Sequence, residues 1–200
     1  LFVSSGEVYG QTSNDIAAFD EDYQGRVDLL AVRSCYPLSK RAAENLCISY
    51  AQQFHLETVI VRPCHTYGAT ATKLDNRAHS QFLQKAAEHQ DIILKSKGKQ
   101  IRSYSYVADV VSGLLTVLLE GGNGEAYNLS NNNIRISIAD LAETIAMLAH
   151  VKICYDLNDM QPSPFSRAVL KSNKLEKLGW KPAFDLEKGL SHTLMILRGR

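Results

Sequence analysis

The sequence predicts an α/β protein built on a parallel sheet. Three observations predict it. "LFV" at 1–3 is a short apolar run that reads as a buried strand. Residues 36–54 carry apolar side chains at helical spacing. "ETVIVRP" at 57–63 is a β-branched run closed by proline, the pattern of a strand buried on both faces. Strand, helix and strand in that order make a βαβ unit, whose two strands lie parallel.

The remaining elements follow along the chain. Residues 6–34 are polar and irregular, with "DEDYQG" as a loop. The helix begins near Tyr36, and Pro37 suits its first turn, where no N–H is needed. Ala43, Cys47, Tyr50 and Phe54 form one stripe along it, widened by Ala42 and Leu46, expected to pack on a sheet or a second helix. "CHTYGATATKLDNR" reads as a long loop and "AHSQFLQKAAEH" as a helix. "DIILKSKGKQIRSYSYV" reads as two strands around a turn at Lys97–Gly98. "ADVVSGLLTVLLEGG" is an apolar helix ended by glycines, and "EAYNLS" a short strand. Ser137 with Asp140 three residues on opens another helix in an approximate capping box. "KICYDL" is a strand, "NKLEKLGWKP" a short helix, and a last helix begins near Leu186. The sequence holds no internal repeat or low-complexity segment.

Composition narrows the function. The 200 residues are 45% hydrophobic and carry a net charge of +1, so no bulk field is aimed at nucleic acid or a membrane surface. No apolar run reaches membrane-spanning length, and no basic-then-apolar leader opens the chain. Cys35, Cys47, Cys64 and Cys154 show neither C-x-x-C pairing nor histidines at zinc spacing, so no metal is expected and the cysteines read as reduced. A cytoplasmic location is the expectation. The opening on an apolar strand, without methionine, reads as a piece of a longer protein.

"SCYPLSKRAAE" at 34–44 carries the chemistry. Tyr36 and Lys40 stand one helical turn apart. Ionising a tyrosine near neutral pH costs about three pKa units, roughly 4 kcal/mol, and a neighbouring ammonium supplies part of that. A phenol so placed can serve as a general base for a hydroxyl, but the pair by itself reads more simply as a partly buried tyrosine beside a solvated lysine, and the context decides. Two further loops, "SSGEVYG" and "RPCHTYG", follow the two strands, and ligands of open α/β sheets bind at the carboxyl ends of strands.

"SSGEVYG", "YPLSK", "RPCHTYG" and "RSYSYVADVV", in this order and spacing, resemble the extended short-chain dehydrogenase/reductase family of NAD-dependent nucleotide-sugar epimerases, dehydratases and decarboxylases. The resemblance runs from Leu1 to about Leu190. It implies part of a Rossmann-like, doubly wound sheet at 1–68 and a smaller, mainly substrate-binding α/β portion at 69–200, with helix 107–120 and strand 125–130 expected to pack back on the first sheet. It implies NAD as cofactor and a nucleotide-diphosphate sugar as substrate. Ser5 matches the catalytic Ser/Thr, Tyr36 the base at the sugar 4-hydroxyl, and Lys40 the residue that tunes the tyrosine and holds the nicotinamide ribose. Arg62 and Pro63 match the loop between cofactor and sugar, and Arg102 the arginine on the diphosphate, a role suited to a guanidinium fork. A parent homodimer through helix 36–54 is also implied.

Departures matter too. His65 stands where the family usually has a substrate-touching Asn. It either donates a similar hydrogen bond, marks a different substrate, or is merely packed. The glycine-rich turn that cradles the dinucleotide is not in these residues, and "GGNG" at 121–124 ends a helix rather than opening one, so the chain alone is expected to bind NAD poorly. Glu7 resembles the acid of dehydratases and decarboxylases, although Gly6 occupies the place of a dehydratase Asp. Arg33, three residues before Tyr36, resembles the spacing of UDP-glucuronate decarboxylases, as do "DNRAHSQF" and "QIRSYSYV". The implied activity is that of an epimerase/dehydratase-family enzyme passing through transient oxidation at sugar C4. UDP-glucuronate decarboxylation, a reductase consuming cofactor, and a catalytically inert domain are the alternatives.

Overall fold

The computed structural model describes residues 1–11, 16–72, 74–157 and 167–199. Residues 12–15 of the expected irregular stretch and Lys73 of the expected long loop lie outside them.

The first sheet is parallel throughout. β1 (Phe2–Val3) pairs with β2 (Val59–Pro63), which pairs on its other side with β6 (Glu125–Leu129), Val59 opposite Glu125 and Pro63 opposite Leu129. Val59, Ile60 and Val61 are all buried, as an unbroken β-branched run requires. α1 (Cys35–Phe54) connects β1 to β2. α3 (Val107–Glu120) lays Val110 and Val117 against Val59, Val61, Tyr127 and Leu129, and Trp180 joins that cluster.

The second sheet orders β3 (His65–Tyr67), β5 (Ile101–Tyr106) and β7 (Arg135–Ser137), with β9 (Arg167–Ala168) also on β5. β3 and β9 run parallel to β5, and β7 antiparallel. A two-stranded parallel sheet joins β4 (Ile92–Leu94) to β8 (Ile153–Tyr155). α2 (Ala78–Ala87), α4 (Ile138–Ala149) and α6 (Leu186–Arg198) close the larger core, through Phe82, Leu83, Leu141, Ile145, Leu190 and Leu194. α5 (Asn173–Glu176) is a single turn. The Ser137 cap forms as expected, its Oγ accepting the Asp140 N–H at 3.0 Å. Among the described residues no helix is long and apolar enough to cross a membrane.

Several expectations are corrected. "LFV" forms a strand but is not buried, with Leu1 45% and Val3 42% exposed, because β1 has a neighbour on one side only among the described residues. β3 forms within the expected long loop, by pairing with β5. The hairpin about Lys97–Gly98 does not form, because β4 and β5 belong to different sheets. Gly98, at φ 62°, instead docks on the start of α4, its carbonyl accepting the Ala139 N–H at 3.0 Å, and the two strands diverge. The apolar stripe of α1 is not buried either. Leu46, Tyr50 and Phe54 are exposed, and the buried positions of the helix are Pro37 and Glu44. Polar contacts, described below, turn that other face inward.

Candidate active site

The carboxyl ends of β1 and β2 open onto a cavity of about 700 Å³. Ser5, Glu7, Arg33, Tyr36, Pro63 and His65 all line it. Six of the nine candidate residues, scattered over sixty positions, therefore meet at one place.

Local structure explains each. Ser5 follows β1 by two residues and caps a 3₁₀ turn over Gly6–Tyr9, its Oγ accepting the Glu7 N–H at 3.1 Å. A hydroxyl has one donor and two acceptor sites, so the Ser5 O–H is still available to a ligand. Glu7 lies 3.9 Å from Arg33, a loose contact between two partly solvated side chains. Tyr36, in the first turn of α1, is 45% exposed and stands at the mouth. Lys40 is one turn behind. Its Nζ lies 5.9 Å from the Tyr36 ring centroid and donates to the Val3 carbonyl at 2.8 Å, which ties α1 to the end of β1.

His65 is nearly enclosed. Its ring packs 5.5 Å from Tyr104 and 6.2 Å from His79, centroid to centroid. Burial, then the charges of His79, Arg102 and Arg77, push its pKa down to about 3. His79 is pushed to about 4, again mainly by burial, and its Nε2 lies 3.2 Å from the Thr66 carbonyl. His65 therefore presents an uncharged imidazole to the cavity at neutral pH.

Three candidates lie outside the lining. Lys40 is the first. Arg62 is partly buried, its guanidinium held by Glu44 through both oxygens, at 2.9 and 2.8 Å. Arg102, on β5, is buried, with Nη1 donating to the Ile101 carbonyl at 2.9 Å. Burial lowers its pKa, against the pull of Tyr104 and Glu7.

Sequence reasoning gave no site role to Cys64 or to Arg77 of "DNRAHSQF", and both line the cavity. Arg77 precedes α2 and is gripped by Asp75, Nε to Oδ1 at 2.9 Å and Nη2 to Oδ2 at 2.5 Å. Asp75 also accepts the Ser80 hydroxyl at 2.7 Å. These bonds, from Arg77 first, hold the Asp75 carboxyl far below the usual range. The spacing in "DNR" just before a helix was the available signal. Burial pushes the Cys64 thiol up to about 11, so it is no thiolate. The far wall comes from the chain's last third. Residues 169–171 run beside Phe19, with the Phe19 N–H on the Val169 carbonyl and the Lys171 N–H on the Phe19 carbonyl, both at 2.8 Å. That pairing brings Ala168 and Leu170 to the cavity.

Comparison with known proteins shows the family and the fold. Residues 1–130 match the model of the NAD dependent epimerase/dehydratase family. UDP-glucuronic acid decarboxylase 3 of Arabidopsis thaliana is 35% identical over 191 residues, covering 95% of this chain and 55% of the relative. UDP-glucuronic acid decarboxylase 1 of Danio rerio is 30% identical, covering 97% and 46%. The chain thus spans about half the length of these curated relatives. Among solved structures, UDP-glucose 4-epimerase of Thermotoga maritima with UDP-glucose superposes with a TM-score of 0.86 at 20% identity, over 99% of this chain and 62% of that one. UDP-glucuronic acid 4-epimerase of Bacillus cereus, in complex with UDP-glucuronic acid and NAD, gives 0.83 at 23% identity, over 98% and 60%. At these identities the structural matches speak for the fold.

Proposed function

The chain belongs to the NAD dependent epimerase/dehydratase family, and from that premise we propose that the full-length protein decarboxylates UDP-glucuronate by way of transient oxidation at sugar C4. The observation that carries the reading is the meeting of Ser5, Glu7, Arg33 and Tyr36 on one cavity at the strand ends.

The residues present fit the nicotinamide end of NAD. Lys40 Nζ spends one of its three donors on Val3, which leaves two beside Tyr36 for ribose hydroxyls. Phe19, Ala168 and Leu170 give the cavity an apolar wall suited to a flat ring. NAD, when bound, takes the C4 hydride and returns it. The chain's own groups do the rest. Tyr36 removes the 4-hydroxyl proton as the hydride leaves, with the Lys40 ammonium 5.9 Å from its ring centroid. The Ser5 O–H donates to the same sugar oxygen. Arg33, only loosely held by Glu7, and Arg77, positioned by Asp75, bring two guanidinium groups to the cavity lining that can hydrogen-bond an anionic sugar. Oxidation at C4 makes the sugar a β-keto acid. The C5–carboxylate bond then breaks, its electron pair passes into the enolate of the 4-ketone as carbon dioxide leaves, and C5 takes a proton before C4 is reduced again. His65 stands as a neutral hydrogen-bonding group toward the substrate, and Arg102, buried on β5, is the expected cation for the diphosphate. Pro63 fixes the loop between the two.

A second reading is 4-epimerisation of the same sugar, which the same Tyr36 base and Ser5 hydroxyl on the cavity would serve. The test is turnover of UDP-glucuronate by the full-length protein with catalytic NAD. Carbon dioxide with a pentose product supports decarboxylation, and an intact carboxylate with inverted C4 supports epimerisation. Turnover of neither kind overturns the proposal. The exposed Leu46, Tyr50 and Phe54 of α1 support a homodimer through that helix. A monomer in sedimentation equilibrium would contradict that part.

A further inference from the structure

α1 sets Tyr36, Lys40 and Glu44 at successive i+4 positions, so the three share one face. The first reaches the cavity and the second the end of β1. The third, only 8% exposed, is deep against β2. Its carboxylate takes the Arg62 guanidinium in a two-point fork. The remaining arm of Arg62 donates from Nη1 to Tyr9 Oη and to the Glu21 carbonyl, both at 2.9 Å. The Tyr9 ring centroid lies 5.0 Å from Arg62 Cζ. Tyr9 Oη donates onward to Asn128 Oδ1 on β6 at 2.6 Å, and the Asn128 N–H reaches Glu21 Oε1 at 2.8 Å. Tyr9 ends the 3₁₀ turn that Ser5 caps.

One polar chain therefore links the helix of Tyr36, the turn of Ser5 and Glu7, and two strands of the sheet. Each member has a fixed polarity. Burial pushes the Tyr9 pKa up to about 12, so its hydroxyl keeps the proton it gives to Asn128. Burial opposes the charge on Arg62, but Glu44 and Tyr9 outweigh it and keep the guanidinium firmly cationic. A buried ion pair adds little stability over apolar residues of the same size, whereas a bidentate fork is demanding in geometry. Neither Glu44 nor Tyr9 lines the cavity.

We infer that Glu44 and Tyr9 are positioning residues, which act through Arg62 to set the spacing between the Tyr36 phenol and the Ser5–Glu7 turn. What that spacing serves rests on the proposed function. Tyr9→Phe removes one hydroxyl and little volume. Glu44→Gln removes the charge but keeps the shape.

The test uses the full-length protein and two readouts. In steady-state turnover of UDP-glucuronate, kcat is expected to fall about tenfold in Tyr9→Phe and about a hundredfold in Glu44→Gln, with KM within about twofold, because small misplacements of reacting groups are costly. A merely structural pin would lower thermal stability and leave kcat alone. In amide hydrogen exchange, Glu44→Gln is expected to speed exchange in residues 5–10 as well as in 35–44, and Tyr9→Phe to do the reverse transmission. Unchanged kcat in a folded Tyr9→Phe overturns the inference. So does exchange that changes only in the segment mutated, a result that counts even if the wild-type protein turns over no nucleotide sugar. If Glu44→Gln fails to fold, Tyr9→Phe alone decides.

Discussion

Acidification should weaken this fold through two histidines in particular. His65 and His79 have ordinary pKa values of 6.5 and are held at about 3 and about 4 in the folded chain. Below 6.5 the unfolded chain binds protons that the folded chain refuses, so stability is full above 6.5 and falls as pH drops toward 4. At pH 5 the unfolded histidines lie about 1.5 units past their pKa and the folded ones are still neutral. Each then costs roughly 2 kcal/mol, or about 4 kcal/mol together. That is a large fraction of a typical domain's stability. The assay is urea unfolding followed by circular dichroism between about pH 7.5 and 5, on the wild type and on His65→Gln/His79→Leu. The double variant shifts absolute stability by repacking, but the wild type should show about 4 kcal/mol more pH dependence across this range. Equal slopes for the two proteins would refute the enclosure of these rings.

Other outcomes are expected in the same account. Tyr36→Phe should lower turnover by about a thousandfold or more while calorimetry shows nucleotide-sugar binding within a few-fold, since a general base acts on the transition state. Asp75→Asn should release Arg77 from its grip and raise KM for an acidic sugar about tenfold with a smaller change in kcat, read from initial rates. Gly189→Ala should destabilise by about 1–3 kcal/mol in thermal unfolding. A Cβ there would lie 2.2 Å from Tyr67 Oη, and the Tyr67 ring is itself buried.

What was legible in the sequence was what is local. The β-branched run of β2, the Ser137 cap and the Tyr36–Lys40 pair are each fixed within a few residues. What escaped is set by partners far along the chain. β4 reads as half of a hairpin, yet Ile92 pairs with Ile153. β3 is three polar-looking residues, His65–Tyr67, and becomes a strand only beside Tyr104–Tyr106 of β5. The inward face of α1 followed Glu44 rather than Tyr50 because Arg62 waits on β2, which no periodicity in the helix records. Arg62 itself was assigned to the cofactor loop, and its guanidinium is engaged by Glu44, Tyr9 and Glu21 behind that loop. Arg77 is brought to the cavity by the Asp75 clasp, and Leu170 by its pairing with Phe19.

The central claim is transient oxidation at C4 with Tyr36 as the base, and isotope retention tests it most directly. The full-length protein would be given UDP-glucuronate deuterated at C4, with a trace of unlabelled NAD, and the product sugar examined by NMR. The account predicts that deuterium stays at C4 of the product, with no net accumulation of reduced cofactor. Loss of the label to solvent, or product formed with stoichiometric consumption of cofactor, would contradict it.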